Sequence, residues 1–569
     1  MTLNIEVATN YAKSIIRTIA KHFSYRNFLF GTAFALVLFL KCILFNRQLI
    51  PDGFGIHTMS RLMLINLCFS GIIASFVCLS RRMWWTVATA FILDIWLIGN
   101  NLYLCTYDDL LNSWCLQNIS NMTGVWSSII PFFKSTDLLY PLSSIVWTLV
   151  VILLRNSRFE RGILGFTVGI LLSLWCFKMT YNDIRYYDGI TNPFAKYYKE
   201  VSMGRKWYCM NFSPIAHLMN EIRNLISNKI SDGELPGVSE EELLPFLNDI
   251  NTATNSNRNL ILVLFESLEH WTINSTVDNN EITPQLNKLI NSRNTLYFSH
   301  CKPQVRQGKS SDAQLIICTG LLPVKDGAVC MRFPNNVFPS IVEAAQPQHS
   351  KILIPTPSSA WNQGGMTKAY HFDSLFAETI SDKEMAHIVS NEIDNMKQPF
   401  NIMVTTMASH SPFTTYCDSS SLSLGDNFPK DLKRYVQSVN YTDACLGAII
   451  GKIQSDSSLA NNTTLVITGD HTIFTDDDRA EYSNILDIEM QGFVPLIIYD
   501  NQLQQSRCDS AIYQADIYPT ILHLLDCKNY YWKGIGHDLL DSTNCINENA
   551  LEISDKLIRS NYFSRIKRK

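Results

Sequence analysis

Five apolar segments crowd the first 180 residues of this 569-residue chain, and they constrain what the rest can become. They run from Asn27 to Phe45, Leu62 to Leu79, Met83 to Leu104, Leu138 to Leu154 and Gly162 to Met179. Each approaches the roughly 20 residues that a helix needs to cross about 30 Å of hydrocarbon. The first is expected to be an anchor and not a cleaved leader, because more spans come after it and no small-residue cleavage site is evident. Basic residues set the expected orientation. Lys13, Arg17, Lys21 and Arg26 precede the first span, Arg81 and Arg82 join the second and third, and Arg155, Arg158 and Arg161 join the fourth and fifth. These stretches are expected to be cytoplasmic. An odd number of spans then places everything after Met179 outside the cytoplasm, and the loop holding Asp108 and Asp109 falls outside under the same assignment. Lys41 and Asp94 sit inside apolar spans, where ionisable groups are costly and often functional, although Lys41 is near an outer end and can snorkel.

The chain is too long for one ordinary core, so at least two structural units are expected. A net charge of -4 and a pI near 6.3 leave no basic stripe able to neutralise a run of phosphates, which excludes a nucleic-acid partner. The basic C-terminus, Arg565, Lys567, Arg568 and Lys569, reads as a solvated end. Of 15 cysteines, six (Cys42, Cys68, Cys78, Cys105, Cys115, Cys176) lie in the N-terminal third and read as small core hydrophobes. The other nine show neither a CxxC pair nor zinc-site spacing, and one or two disulfides are compatible with export.

The expected organisation is a transmembrane domain over 1–180, a juxtamembrane linker over 181–257, an α/β domain over 258–545 and a tail over 546–569. In the linker, Ile215 to Ile230 and Ser239 to Ile250 have helical patterning, with Ser239 as N-cap and Glu240, Glu241 and Glu242 in the first turn. From Asn259 onward, short apolar strands alternate with amphipathic stretches, the pattern of a sheet with helices on both faces. The strand Leu260 to Phe265 ends in Glu266-Ser267, and the strand Thr464 to Thr468 ends in Gly469-Asp470-His471. Ligands in open α/β sheets bind beyond the carboxyl ends of strands, so these carboxylates and this imidazole point into one crevice. Between them, Arg306-Gln307-Gly308-Lys309-Ser310-Ser311-Asp312 is a glycine-bearing turn running into a helix. Hydroxyls in a first helical turn face free N–H groups and the positive dipole end, which favour an alkoxide or a bound phosphate. The Walker spacing fails there, because position 303 is proline.

Glu266, Gly308 to Asp312, Ser409-His410-Ser411-Pro412-Phe413, Gly469-Asp470-His471, Trp361-Asn362 and Asp516 to Leu524 together resemble the lipoteichoic acid synthase family in order and approximate spacing. The resemblance implies an alkaline-phosphatase-like and sulfatase-like α/β/α sandwich, extracytoplasmic and preceded by five transmembrane helices. It also implies one divalent ion, manganese foremost with magnesium or zinc as alternatives, held by Glu266, Ser310, Asp470 and His471. Ser310 would be the nucleophile, standing where the family carries threonine and keeping the hydroxyl. His410 would contact the substrate phosphate, with Lys309, Arg306 and Trp361 lining the pocket. After Trp361-Asn362 the family often has an arginine that holds glycerol phosphate; this chain has Gln363, and Arg306 is the expected substitute.

The activity implied is a phosphoglycerol-type transfer from a membrane phospholipid, phosphatidylglycerol, to a glycan or polymer acceptor through a phospho-Ser310 enzyme. A metal-bound serine hydroxyl is activated much as bound water is. The alternatives are a sulfatase, a phosphoethanolamine transferase of the same superfamily, and a non-enzymatic membrane scaffold. Cys301-Lys302-Pro303-Gln304-Val305-Arg306 misses the formylglycine motif by one residue. His270, His371, His387 and His523 read as structural or surface residues.

Overall fold

The computed structural model of the chain describes residues 25–49, 56–77, 79, 82–107, 110–112, 132–155, 163–187, 204–231, 238–248, 255–325, 327–413, 422, 424–425, 428–541 and 550–566. Lys13, Arg17, Lys21, Cys78, Arg81, Asp108, Asp109, Cys115, Arg158, Arg161, Lys567, Arg568 and Lys569, which enter the expected orientation, cysteine pattern and tail, lie outside the described residues. The chain divides into two compact units, one of Met1–Ser113 with Ile129–Ile230 and one of Trp114–Ser128 with Ser231–Lys569.

The first unit is helical: α1 (Tyr25–Leu49), α2 (Ile56–Val77), α3 (Trp84–Tyr107), α4 (Leu139–Leu154), α5 (Ile163–Tyr187), α6 (Gly204–Phe212) and α7 (Pro214–Ser231). Among the described residues, four stretches are long and apolar enough to cross a membrane: Arg26–Leu49, Met59–Val77, Trp84–Cys105 and Ser135–Leu154. Four therefore replace the five expected spans. The fifth segment does form a helix, α5, but its C-terminal half carries Lys178, Asp183 and Arg185. Asp183 accepts from Arg61 Nε at 2.7 Å, a polar tether that a lipid-facing span has no use for. Small residues let α2 and α5 approach closely, Gly71 lying against Ser173 and Gly169 against Ser75.

The two charges inside spans meet. Lys41 on α1 pairs with Asp94 on α3, and both are bridged by Ser144 on α4, whose Oγ accepts from Lys41 Nζ at 2.6 Å and donates to Asp94 Oδ2 at 2.5 Å. All three are almost fully buried. Seven residues along α1 and α3 the pattern repeats without a cation, against the short 3-10 turn Ser135–Leu138 that leads into α4, where Asn101 Nδ2 donates to Asp137 Oδ1 at 2.8 Å and Gln48 Nε2 donates to Thr136 at 3.0 Å. The i, i+7 spacing keeps both layers on one face of each helix, about 10 Å apart at 1.5 Å per residue.

The second unit is built on a nine-stranded sheet. Its strands are β1 (Asn259–Phe265), β2 (Thr295–Lys302), β3 (His349–Ile354), β4 (Ser374–Ala377), β5 (Phe400–Thr405), β6 (Thr463–Gly469), β7 (Val494–Tyr499), β8 (Ser506–Cys508) and β9 (Ile512–Tyr513). The order is β8-β2-β7-β6-β1-β5-β3-β4, with β9 also on β2. β1 is parallel to both neighbours, and β7 is antiparallel to β6 and β2. A strand whose residues are all buried must serve two cores. Leu260, Leu262 and Leu264 join the core on one face, whereas Ile261, Val263 and Phe265 join that on the other. The first core takes in α8 (Ser310–Thr319), and the second takes in α9 (Asp382–Asn395) and α10 (Lys430–Ser455). The result is an α/β/α sandwich.

The segments flanking the sheet are drawn in as well. Ser239 and Glu242 form the expected cap, Glu242 N donating to Ser239 Oγ at 3.3 Å and Ser239 N to Glu242 Oε2 at 2.9 Å. Phe246 then packs on Trp532. Near the other end, a helix over Ala550–Arg559 buries Ile553, Leu557 and Ile558 in the first core. The described cysteines are free, and Cys301, Cys318, Cys330 and Cys527 are buried among apolar neighbours.

Candidate active site

Register alone places the first ligands. Phe265 at the end of β1 is paired with Gly469 at the end of β6, so the next residues, Glu266 and Asp470, emerge side by side. Gly469 has to be glycine, because a Cβ there would lie 2.3 Å from the Leu268 carbonyl oxygen. Asp470 Oδ1 accepts from the N–H groups of Ser267 and His471, each at 2.7 Å, which stitches the two strand ends together. His471 Nδ1 donates to the Thr472 carbonyl at 3.1 Å and so turns Nε2 inward. That nitrogen lies 3.7 Å from Glu266 Oε1 and 3.7 Å from Asp470 Oδ2. One donor atom from each of the three lies within 4.8 Å of the others, and all three residues are buried.

The fourth group arrives from a different loop. Ser310 is the first residue of α8, and its Oγ donates to Glu266 Oε2 at 3.1 Å and lies 3.4 Å from His471 Nε2. The approach to it is a sharp turn in which Lys309 takes φ 44 and ψ -117, a conformation that side chains rarely adopt. Asp312, near the start of the helix, holds that turn: its Oδ2 accepts from the N–H groups of Arg306 and Gly308, both at 2.9 Å. Gly308 leaves room for the carboxylate, since a Cβ would sit 2.2 Å from Asp312 Oδ1.

Electrostatically the cluster is unbalanced. Burial, and then the charge of Asp470, push the Glu266 carboxyl up to about 8. Two buried carboxylates, an imidazole nitrogen and a hydroxyl form a hard to borderline donor set that suits Mn2+, Mg2+ or Zn2+. The residues present therefore fit a divalent cation.

The remaining site candidates spread along the same edge. His410 comes after β5, the other neighbour of β1; burial pushes its imidazole below the usual range, and Nδ1 donates to the Ser411 carbonyl at 2.8 Å. Ser409 donates to the Glu266 carbonyl and so ties the two loops. Lys309 directly precedes Ser310. Arg306 Nη1 donates to the Lys325 carbonyl at 3.2 Å, which directs it along that loop. Trp361 lies one strand further out, in the turn after β3, where it and Asn362 both have positive φ and Asn362 Nδ2 donates to the Cys330 carbonyl at 3.0 Å. Gln363 turns inward and exchanges two hydrogen bonds with Gln314 on α8, at 2.9 and 3.2 Å. Cys301 is fully buried in the core, well away from any role as a surface nucleophile.

Sequence reasoning assigned no role to Asp312, Gln514, Glu269 or Asp382. Gln514 is fully buried and donates to the Asp470 carbonyl at 2.7 Å. Glu269, Asp382 and Gln514 act on main-chain atoms of other loops, and no spacing rule reports that. Only Asp312, sitting four residues past a glycine, left a local signal.

The domain described as Sulfatase matches residues 258–527. The Lipoteichoic acid synthase N-terminal domain matches residues 12–204. Among curated proteins, the chain is similar to a lipoteichoic acid synthase of Staphylococcus saprophyticus, 22% identical over 493 residues that cover 81% of this chain and 75% of that one. Among solved structures it is similar to the integral membrane lipooligosaccharide phosphoethanolamine transferase A of Neisseria meningitidis, with TM-score 0.54, 11% identity and coverage of 89% and 96%. It also matches the lipoteichoic acid synthase LtaP of Listeria monocytogenes, with TM-score 0.45, 18% identity and coverage of 56% and 95%. The two domain matches keep the order of the helical unit and the sheet unit, and the chain belongs to the lipoteichoic acid synthase family of alkaline-phosphatase-like, sulfatase-domain membrane enzymes.

Proposed function

We propose that this protein moves a phosphoglycerol-type head group from a membrane phospholipid, phosphatidylglycerol, to a glycan or polymer acceptor through a covalent phospho-Ser310 intermediate. The observation that carries the reading is Ser310 Oγ lying within reach of both Glu266 and His471. A divalent cation held by Glu266, Asp470, His471 and Ser310, manganese before magnesium or zinc, would supply Lewis-acid charge and favour the serine alkoxide. Ser310 Oγ attacks phosphorus; the new Oγ–P bond forms as the bond to the diacylglycerol oxygen breaks, and that oxygen leaves as a hydroxyl with the serine proton. An acceptor hydroxyl then attacks phosphorus and releases Ser310. Lys309 offers a donor to phosphate oxygens that gain charge in the transition state, and His410, whose Nδ1 proton is held by the Ser411 carbonyl, would donate to them from Nε2 in its protonated form. Loop 306–308 and helix α8 keep the hydroxyl oriented, so little reorganisation is left for the chemical step.

The membrane helices would anchor a sheet unit on the extracytoplasmic side, close to its lipid donor, which raises the donor's effective concentration. That side rests on the resemblance to the lipoteichoic acid synthase family, because an even number of spans with cytoplasmic basic flanks does not by itself carry the chain across. The organisation into 1–180, 181–257 and 258–545 belongs to the same proposal, with the helix inside 546–569 joined to the sheet unit through Ile553, Leu557 and Ile558. The test is to incubate the full-length protein with head-group-labelled phosphatidylglycerol and Mn2+ and to map the label. Label on Ser310 and released diacylglycerol are expected; turnover retained by Ser310→Ala would overturn the nucleophile.

A phosphoethanolamine donor is the second reading, favoured by one observation. Gln363, where the resemblance expects a glycerol-phosphate-binding arginine, uses its amide on Gln314. Parallel assays with phosphatidylethanolamine decide between the two donors.

A further inference from the structure

Two buried carboxylates outside the donor set each accept two main-chain N–H groups from a loop that carries a site residue. Glu269, fully buried three residues past Glu266, accepts from Ile473 N at 2.9 Å and Phe474 N at 3.1 Å, just beyond His471. Arg479 Nη2 at 3.3 Å and Trp271 Nε1 at 2.9 Å complete its shell. Tyr435 fixes the same turn from behind, its hydroxyl donating to the Ser267 carbonyl at 2.8 Å and accepting from Glu269 N at 3.1 Å. Asp382, at the start of α9, accepts from Met407 N at 2.8 Å, Ala408 N at 3.0 Å and Thr442 Oγ1 at 2.6 Å, just ahead of His410.

These contacts are specific in direction. An ionised carboxylate offers only acceptors and a backbone amide only donors, so each carboxylate fixes the path of one loop without touching the loop's functional side chain. The two act on different loops. Glu269 joins the strand end that presents Glu266 to the segment that leaves His471, so it sets the distance between two donors to the cation. Asp382 holds the turn of His410 through contacts separate from those of Glu269.

We infer that Glu269 and Asp382 are positioning residues with separate assignments: Glu269 sets cation affinity through Glu266 and His471, and Asp382 sets phosphate-group recognition through His410. The inference rests on the proposed metal and phosphate roles of those residues. It divides the shell behind the site into a metal side and a substrate side.

The test measures Mn2+ affinity by calorimetry on full-length protein, alongside KM and kcat for the phospholipid donor at saturating Mn2+. Glu269→Gln is expected to weaken Mn2+ binding about 10- to 100-fold, the usual cost of a lost supporting contact at a metal site, with KM nearly unchanged. Asp382→Asn is expected to leave Mn2+ affinity within about twofold and to raise KM about tenfold, with Asp382→Glu recovering part of the loss. Tyr435→Phe, which removes only the hydroxyl behind Glu269, is the milder variant if Glu269→Gln fails to fold, and it is expected to weaken Mn2+ binding and not KM. Equal losses of metal affinity and KM in both variants would mean a general structural role and overturn the inference, as would unchanged Mn2+ affinity in both Glu269→Gln and Tyr435→Phe. Asp470→Ala and His410→Ala run in parallel: if they leave Mn2+ affinity and KM untouched, the site reading itself fails, whatever the positioning variants do.

Discussion

Buried charge is handled in opposite ways in the two units of this chain. In the helical unit, Lys41 and Asp94 satisfy one another and share Ser144. In the sheet unit, Glu266 and Asp470 face each other across an imidazole, and the shared burial drives Glu266 to hold its proton up to about pH 8. A neutralised cluster is complete as folded and serves the scaffold; a cluster left net acidic costs stability and makes sense only where a cation from outside completes it.

The first way to break that comparison is Ser310→Ala. It should cut turnover by about a thousandfold or more, the usual penalty for a lost nucleophile, while the circular dichroism spectrum stays unchanged. The next concerns the helical unit, where Lys41→Met strands Asp94 and should cost about 3–5 kcal/mol of stability. Adding Asp94→Leu to that variant should restore much of the loss, read by thermal unfolding in detergent. No restoration would mean that the pair does more than neutralise itself.

The pH dependence of metal binding is a smaller effect. A carboxyl whose folded pKa is raised binds more protons than its unfolded counterpart, so Glu266 lowers stability increasingly as pH rises from about 4.5 towards about 8. Ligation needs the deprotonated form, so Mn2+ affinity should climb by up to about tenfold per pH unit below pH 8 and level off above it. A flat profile between pH 6 and 8 in calorimetry would remove the argument from acidity. Last, Asp470→Asn should abolish Mn2+ binding and yet raise the melting stability of the metal-free protein by about 1 kcal/mol, because a like-charge contact is relieved. The matching change in the helical unit, Asp94→Asn, should lower stability, and the sign difference is the sharpest form of the contrast.

The parts legible in the sequence are those written locally. Glu266 and Asp470 stand directly after pure apolar strands, and Ser310 directly after a glycine turn, so strand and cap rules find them. Lys41 and Asp94 stand out simply as charges in apolar surroundings. The fifth span is overcounted when apolar content up to Met179 is weighed alone, because the same helix continues through Asp183 to meet Arg61. The helix over Ala550–Arg559 passes for tail, although Ile553 and Leu557 repeat at four residues and Ile558 sits beside them. Glu269, Asp382 and Gln514 are invisible for a different reason. They bind the peptide backbone of loops up to 205 positions away, and a backbone amide has no letter in the sequence.

The pairing of Phe265 with Gly469 has one further implication. Because the two acidic groups owe their separation to strand alignment deep in the sheet, the loop after β3 can change length or charge without disturbing them. Exchanging Gln363 and its surroundings for other residues would then retune which head group is accepted while the ion-holding end stays as it is, and new substrate preferences could arise in this scaffold without rebuilding its reactive centre.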